Sequence, residues 1–450
     1  MKHKALRYIL HDVSTNTAAT VLRCISRMIV IVVLARSFSV EWFGVFTIMV
    51  GIETLLVCVV SALCTSSTPL IASGRSARVR AAVMRAGDRM QLYLTGLCVL
   101  IASPFLLLLD IEHTLIMIAF PCSIIATSAM NARRTDSTAS FKSGRLLLAE
   151  IFIAIGCVGA ILLPINEPEL CLSVYWIAQS ITMIIASVVI DPNRDFRRVP
   201  HRLSRAARGM ILRKGVDMLS GSIALSAQNR IQPILVALVL GPIGAGMYGA
   251  ISMFGAPLRL MCVSIRSVYL PRVSKRLRGS SPVSLLSMDP VLLGVGVVGL
   301  TVLSACTIFI ASPMIGLVLG DEYVASAGAL PVAVMAAGLG LITTPMVSEI
   351  QAMGKINITA RYRWLAAIIS LSSIVPLMNM MGVAGVFASI VIGEITMIIA
   401  LCQAVWVRGL DSKSAELLHR RLMREVRKRA QSALLFTTKA KHTHITQTNS

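Results

Sequence analysis

Long apolar runs alternate with short polar breaks along the whole 450-residue chain. A helix that crosses a bilayer needs about 20 mostly apolar residues, and runs of that length recur throughout the sequence. The pattern predicts twelve spans, at residues 15–36, 44–65, 91–109, 114–130, 146–164, 170–190, 215–240, 247–270, 290–312, 326–349, 364–381 and 384–404. We therefore expect an all-α polytopic membrane protein with about 12 transmembrane helices.

The basic residues give this helix pattern an orientation. Of the 43 Lys and Arg residues, 37 lie at the two termini or on alternate connections between spans. The opposite connections hold mainly Asp and Glu, with Arg36 as their one basic residue. An excess of Lys and Arg marks cytoplasmic loops, so both termini are predicted to be cytoplasmic.

The composition is typical of a membrane protein and excludes other classes of protein. The chain is 56% hydrophobic and 14% charged, too apolar for a disordered chain and too poor in charge for an ordinary soluble domain. The net charge of +22 would indicate nucleic-acid binding in a soluble protein, but here the cytoplasmic loops account for most of it. No Walker A, HExxH or GxSxG motif is present, so we expect no enzyme and no cofactor.

Four arginines do not fit the loop pattern. Arg23 and Arg27 fall inside the first predicted span, Arg230 inside the seventh and Arg259 near the middle of the eighth. An arginine at the bilayer centre costs roughly 3 kcal/mol or more, so such residues need water, a carboxylate or an anionic ligand.

The chain also carries an internal repeat. Residues 27–46 resemble residues 230–248, with an arginine at the start and a glycine 16 or 17 residues later, and residues 145–151 resemble 363–369. We therefore divide the chain into an N-terminal six-helix half (1–190), a basic linker (191–214), a C-terminal six-helix half (215–404) and a basic amphipathic tail (405–450). The tail is predicted to lie on the anionic inner leaflet.

Three stretches resemble a known transporter superfamily. They are LARSFSVEWFGVF at 34–46, LVLGPIGAGMY at 238–248 followed by LPRVSK at 270–275, and LVLGDEY at 317–323 followed by GVAGV at 382–386. In this order they resemble the polysaccharide and O-antigen (oligosaccharide-lipid) flippases of the MOP superfamily, which also includes MATE drug exporters and lipid II flippases. Relatives often carry an aspartate in the seventh helix, where this chain has Gln228, Asn229 and Arg230.

The resemblance implies a function in the bacterial cytoplasmic (inner) membrane. A polyprenyl-pyrophosphate-linked oligosaccharide would be flipped from the inner to the outer leaflet by alternating access, for export of O-antigen, capsule or exopolysaccharide. The implied partners are the lipid-linked glycan, membrane lipids and polysaccharide assembly proteins, without nucleic acid. Coupling to a proton or sodium gradient stays open.

The residues suggest how such a substrate would be held. Guanidinium groups bind phosphate oxygens at two points, so Arg23, Arg27, Arg230 and Arg259 are candidate pyrophosphate ligands, with Asn229 and Gln232 for sugar hydroxyls. The alternative is that these arginines pair with Glu53, Glu150, Glu349 or Glu394 and only hold helices together. Glu53, Glu150 and Glu394 could also serve in ion coupling.

Two rival functions differ in features that the sequence displays. A MATE-type exporter of cationic drugs would favour carboxylates over arginines in its cavity. A membrane-bound polymerase or ligase usually carries its chemistry on a long outer loop, and every predicted outer loop here is short.

Overall fold

The computed structural model describes most of the predicted membrane region. It covers residues 2–64, 87–100, 114–139, 143–165, 167–190, 223, 224, 228, 230–262, 265, 290–352 and 356–406. The predicted linker at 191–214 and the tail from 407 lie outside the described residues, as does Asn229.

Helices account for nearly all of the described chain. They are α1 (Lys2–Ser37), α2 (Val40–Cys64), α3 (87–100), α4 (Thr114–Ala139), α5 (Ser143–Ile161), α6 (Pro168–Ile190), α7 (Gln232–Phe254), α8 (256–262), α9 (Pro290–Leu319), a 3₁₀ helix (Asp321–Ala329), α10 (Leu330–Ala352), α11 (Ile356–Met381) and α12 (Val383–Trp406). Backbone groups in hydrocarbon must be satisfied within the segment, which is why long apolar runs become helices.

Ten helices in the described part of the chain are long and apolar enough to cross a membrane. The predicted all-α polytopic fold is confirmed. The predicted spans at 91–109, 215–240 and 247–270 are described only in part.

One predicted loop is replaced by a single residue with non-helical geometry. The sequence predicts a connection over 241–246, but α7 runs through it and departs from helical geometry only at Gly241, with φ 73° and ψ −177°. Glycine tolerates positive φ, and Pro242 excludes the helical conformation from the residue before it. The break therefore follows directly from the Gly-Pro pair.

An aromatic cluster joins α2, α4 and α6. The Trp176 ring is fully buried, with centroids 5.2 Å from Phe120, 6.0 Å from Phe46 and 5.0 Å from Tyr175. These edge-to-face and tilted pairs add to the stabilisation from burial. The cluster fixes the three helices against one another beside the candidate site.

Helices α2 and α7 approach each other through glycines. A Cβ atom built on Gly44 would collide with the carbonyl oxygen of Pro242, and one built on Gly246 would collide with the carbonyl oxygen of Val40. Each built Cβ would also lie 3.1 Å from the backbone nitrogen of the other glycine. The two glycines that correspond in the sequence repeat are thus packed against each other.

Arg36 ties the same end of the bundle to α9. Its guanidinium donates from Nε to the carbonyl oxygen of Val318 at 3.0 Å and from Nη2 to that of Leu317. These carbonyls belong to the last turn of α9, where helix geometry leaves acceptors free and favours a cation. Arg36 therefore joins α1 to α9. We call this region, with the α1–α2 turn, Gly44 and Gly246, the closed end.

We expect Gly44→Ala to disrupt the closed end, because its methyl group has no room beside Pro242. Gly299→Ala is the matched control, since a Cβ there meets no atom within 4 Å and Ala is the better helix former. Thermal unfolding of the purified protein should show a lower midpoint for Gly44→Ala and an unchanged or higher one for Gly299→Ala. Equal midpoints would contradict the tight contact.

Candidate functional site

The four intramembrane arginines converge from three helical segments. Arg23 and Arg27 lie one turn apart on α1, Arg230 immediately precedes α7, and Arg259 is on α8. The charge of Arg27 acts on both Arg23 and Arg230. Arg259 acts in turn on Arg230. The four guanidinium groups therefore form one positively charged cluster, which we call the arginine cluster.

Most of this cluster is not neutralised by nearby carboxylates. In the part of the chain that the structure describes, Arg27, Arg230 and Arg259 form no ion pair, and all three keep accessible surface, although protein atoms surround much of Arg230 and Arg259. Arg259 donates from Nη2 to the carbonyl oxygen of Ser252 at 2.5 Å. Exposed, unpaired guanidinium groups in a membrane protein require water or an anion, which is the chemistry of a binding site.

Arg23 differs from the other three because it lies beside a carboxylate. Its Nε is 3.6 Å from Oε1 of Glu150, and 31% of its side chain is accessible whereas Glu150 is buried. Glu150 forms its closer contacts with Arg134, whose Nε and Nη2 donate to the two carboxylate oxygens at 2.6 and 3.0 Å. The alternative of structural pairing thus applies to Arg23 in part.

Arg134 is a residue that the sequence analysis assigned to a loop. The predicted span ended at residue 130, but α4 continues to Ala139 and carries Arg134 one turn further. Its remaining Nη1 donates to Oδ1 of Asn131 at 2.8 Å, which fixes the guanidinium completely. The sequence signal for this longer helix was the polar Asn-Ala-Arg-Arg stretch, which directly continues an apolar run.

Glu53 lies buried in a polar cluster of its own. Thr127 Oγ1 donates to Glu53 Oε1 at 2.5 Å, and Gln179 Nε2 donates to the same oxygen at 2.9 Å. Arg27 and Arg134 both act on this carboxylate through their charge. Glu53 thus offsets the arginine cluster without forming a direct ion pair among the described residues.

A related arrangement holds Glu394. Thr343 Oγ1 donates to Glu394 Oε2 at 2.8 Å, and Glu394 is buried. Thr127 and Thr343 each lie 13 residues after the first residue of their helix, in α4 and α10. Gln179 and Glu394 each lie 11 residues after the start of α6 and α12. Equivalent repeat positions therefore build both polar clusters.

Gln232, a candidate for hydrogen bonds to sugar hydroxyls, has its amide engaged within the bundle in this structure. It is buried, its Oε1 accepts from the Tyr248 hydroxyl at 2.6 Å, and its Nε2 donates to the carbonyl oxygen of Gln228 at 2.5 Å. Both ends of the amide are therefore occupied by neighbouring residues of the bundle.

The charges around the site strongly favour an anion. Arg23, Arg27, Arg134, Arg230 and Arg259 face only two nearby carboxylates, Glu53 and Glu150, among the described residues. No group of side chains suited to a metal ion occurs within those same residues. The chemistry available is recognition of a multiply charged anion through guanidinium groups.

Comparison with known proteins identifies the fold. No protein-family model and no curated protein matches the sequence. Among solved structures, the chain is similar to the lipid II flippase MurJ in an inward closed conformation, with a TM-score of 0.69, 13% identity and 87% of each chain covered. It is also similar to an inward-facing multidrug resistance MATE transporter of the MOP superfamily, with a TM-score of 0.61, 13% identity and coverage of 88% of this chain and 95% of that one.

A MATE transporter in a bent conformation gives a TM-score of 0.58 at 14% identity, with 92% of this chain and 96% of that one covered. These neighbours are transporters and a flippase, not enzymes. The chain shares the helical fold of these three structures.

We expect Gln232→Leu and Tyr248→Phe to lower stability individually, because each leaves a buried polar partner unsatisfied at a cost of about 1–3 kcal/mol. The double variant removes both partners and should recover much of the loss. Thermal unfolding of the three variants measures this cycle. A transport defect in Gln232→Leu with unchanged stability would instead assign Gln232 to the ligand.

Proposed function

We propose that this protein flips a polyprenyl-pyrophosphate-linked oligosaccharide across the bacterial cytoplasmic membrane. The observation that carries the proposal is the arginine cluster, in which Arg27, Arg230 and Arg259 are exposed and form no ion pair among the described residues. A pyrophosphate supplies the negative charge that such a cluster lacks. The MOP-type fold supports transport as the activity.

The geometry favours an anionic lipid over a cationic drug. A MATE-type exporter of cations would place its substrate beside guanidinium groups, which repel like charge. A lipid II-type flippase has the same headgroup chemistry and is the nearest alternative, because the MurJ structure gives the highest TM-score of the three neighbours described. The two flippase functions differ in the glycan and not in the pyrophosphate.

The proposed mechanism is alternating access. With both termini in the cytoplasm, as the basic loops predict, the closed end faces outside and the arginine cluster opens toward the cytoplasm. The pyrophosphate would bind the cluster while the prenyl chain stays in lipid. Rearrangement at the closed end would then open the site to the outer leaflet for the polysaccharide assembly proteins. Glu53 and Glu394 are the proposed residues for coupling to a proton or sodium gradient.

We expect Arg27→Ala and Arg230→Ala each to reduce flipping at least tenfold, because a hydrogen bond to a charged group contributes about 1.5–3 kcal/mol. Arg145→Ala is the matched control, since Arg145 is exposed on α5 and belongs to the predicted loop set. The measurement is translocation of a fluorescent polyprenyl-pyrophosphate-linked sugar in proteoliposomes. Unchanged flipping by both cluster variants would overturn the proposal.

The cellular experiment separates the candidate substrates. Deletion of the gene should cause a lipid-linked polysaccharide precursor to accumulate at the inner leaflet. Accumulation of lipid II would favour the lipid II-type function. Sensitivity to cationic drugs without any lipid-linked intermediate would favour an exporter.

A further inference from the structure

We propose that Arg134 is a positioning residue that keeps Arg23 available for the anionic headgroup by engaging the charge of Glu150. The inference rests on the proposed function, because it concerns the same arginine cluster. Arg134 itself touches Glu150 and Asn131 and is not assigned a contact with the ligand.

The carboxylate of Glu150 is shared unequally between two arginines. Arg134 makes a two-point contact with it at 2.6 and 3.0 Å, whereas Arg23 Nε is 3.6 Å from Oε1. That Nε is buried and has no hydrogen-bond partner among the described residues. Because the stronger, bidentate pairing goes to Arg134, Glu150 neutralises Arg134 first and Arg23 only weakly.

The same contact also orients Arg23. Its contact with Glu150 runs through Nε, which leaves the two terminal nitrogens for a ligand. The two terminal nitrogens form one of the donor pairs with which a guanidinium can bind a phosphate group at two points. The side chain is 31% accessible, whereas Arg134 is 11% and Glu150 1% accessible. A buried pair therefore supports a partly exposed donor.

The charges indicate what the loss of Arg134 would do. Without it, Glu150 would be a buried anion with Arg23 as its nearest cation, and the two would form a direct ion pair. An unpaired buried charge is strongly unfavourable, which drives this rearrangement. Arg23 would then be neutralised, and the negative charge of Glu150 would oppose the headgroup.

A double-variant cycle on the full-length purified protein tests the proposal, with geranylgeranyl pyrophosphate as the anionic probe and geranylgeraniol as its uncharged control. We expect Arg134→Gln to weaken binding of the pyrophosphate about tenfold and Glu150→Gln to leave it unchanged or tighter. The double variant should return to within about threefold of Glu150→Gln. A residue that only holds α4 and α5 together would give no such recovery.

The outcomes separate this inference from the proposed function. If the wild-type protein does not prefer the pyrophosphate over the alcohol, the proposed function fails. If the preference is present and is lost in Arg27→Gln, but Arg134→Gln binds normally, only the positioning role fails. A double variant as weak as Arg134→Gln also overturns it.

A conservative variant covers the case in which Arg134→Gln does not fold. Arg134→Lys keeps the charge but offers a single ammonium in place of the two-point contact. We expect its affinity for geranylgeranyl pyrophosphate to lie between those of the wild type and Arg23→Gln. Wild-type affinity in Arg134→Lys together with tenfold weaker binding in Glu150→Gln would contradict the proposal.

Discussion

The cost of a guanidinium group inside a membrane is the constraint on which the rest of this structure depends. A single arginine at mid-depth is unfavourable, and a group of them also experiences mutual repulsion. The bundle meets the constraint in two ways. Arg134 donates three hydrogen bonds to Glu150 and Asn131. Arg27, Arg230 and Arg259 keep their surface accessible, so that water or an anion can complete their environment.

The closed end gives this arrangement its direction. Arg27 is ten residues before the end of α1, or about 15 Å along a helix, so the cluster lies well below the contact between Gly44 and Gly246. That contact is made by backbone atoms and reinforced by Arg36 on α9. At the two glycines the helices meet through backbone atoms, and the Arg36 hydrogen bonds are of a kind that re-forms readily in water.

Much of the fold could be predicted from sequence, for a specific physical reason. In hydrocarbon, long apolar runs must form helices. The spans and the arginines that interrupt them can therefore be recognised from the sequence alone. The helix ends cannot be read from the sequence in the same way, because polar residues can extend a helix beyond the membrane core. That is why Arg134 was placed in a loop. The partner of Gln232 was also out of reach, since it depends on how the break at Gly241 turns the chain so that Tyr248 meets it.

The paired polar clusters of the two repeats have an evolutionary consequence. Thr127 and Thr343 keep the same hydroxyl at the same helix position, whereas the equivalent positions in α6 and α12 hold Gln179 and Glu394. Glutamine and glutamate have nearly the same shape, and their codons differ by one nucleotide. A single substitution between these two residue types therefore adds or removes a buried carboxylate and leaves helix packing nearly unchanged. The two repeats can thus diverge in electrostatics while their architecture remains matched.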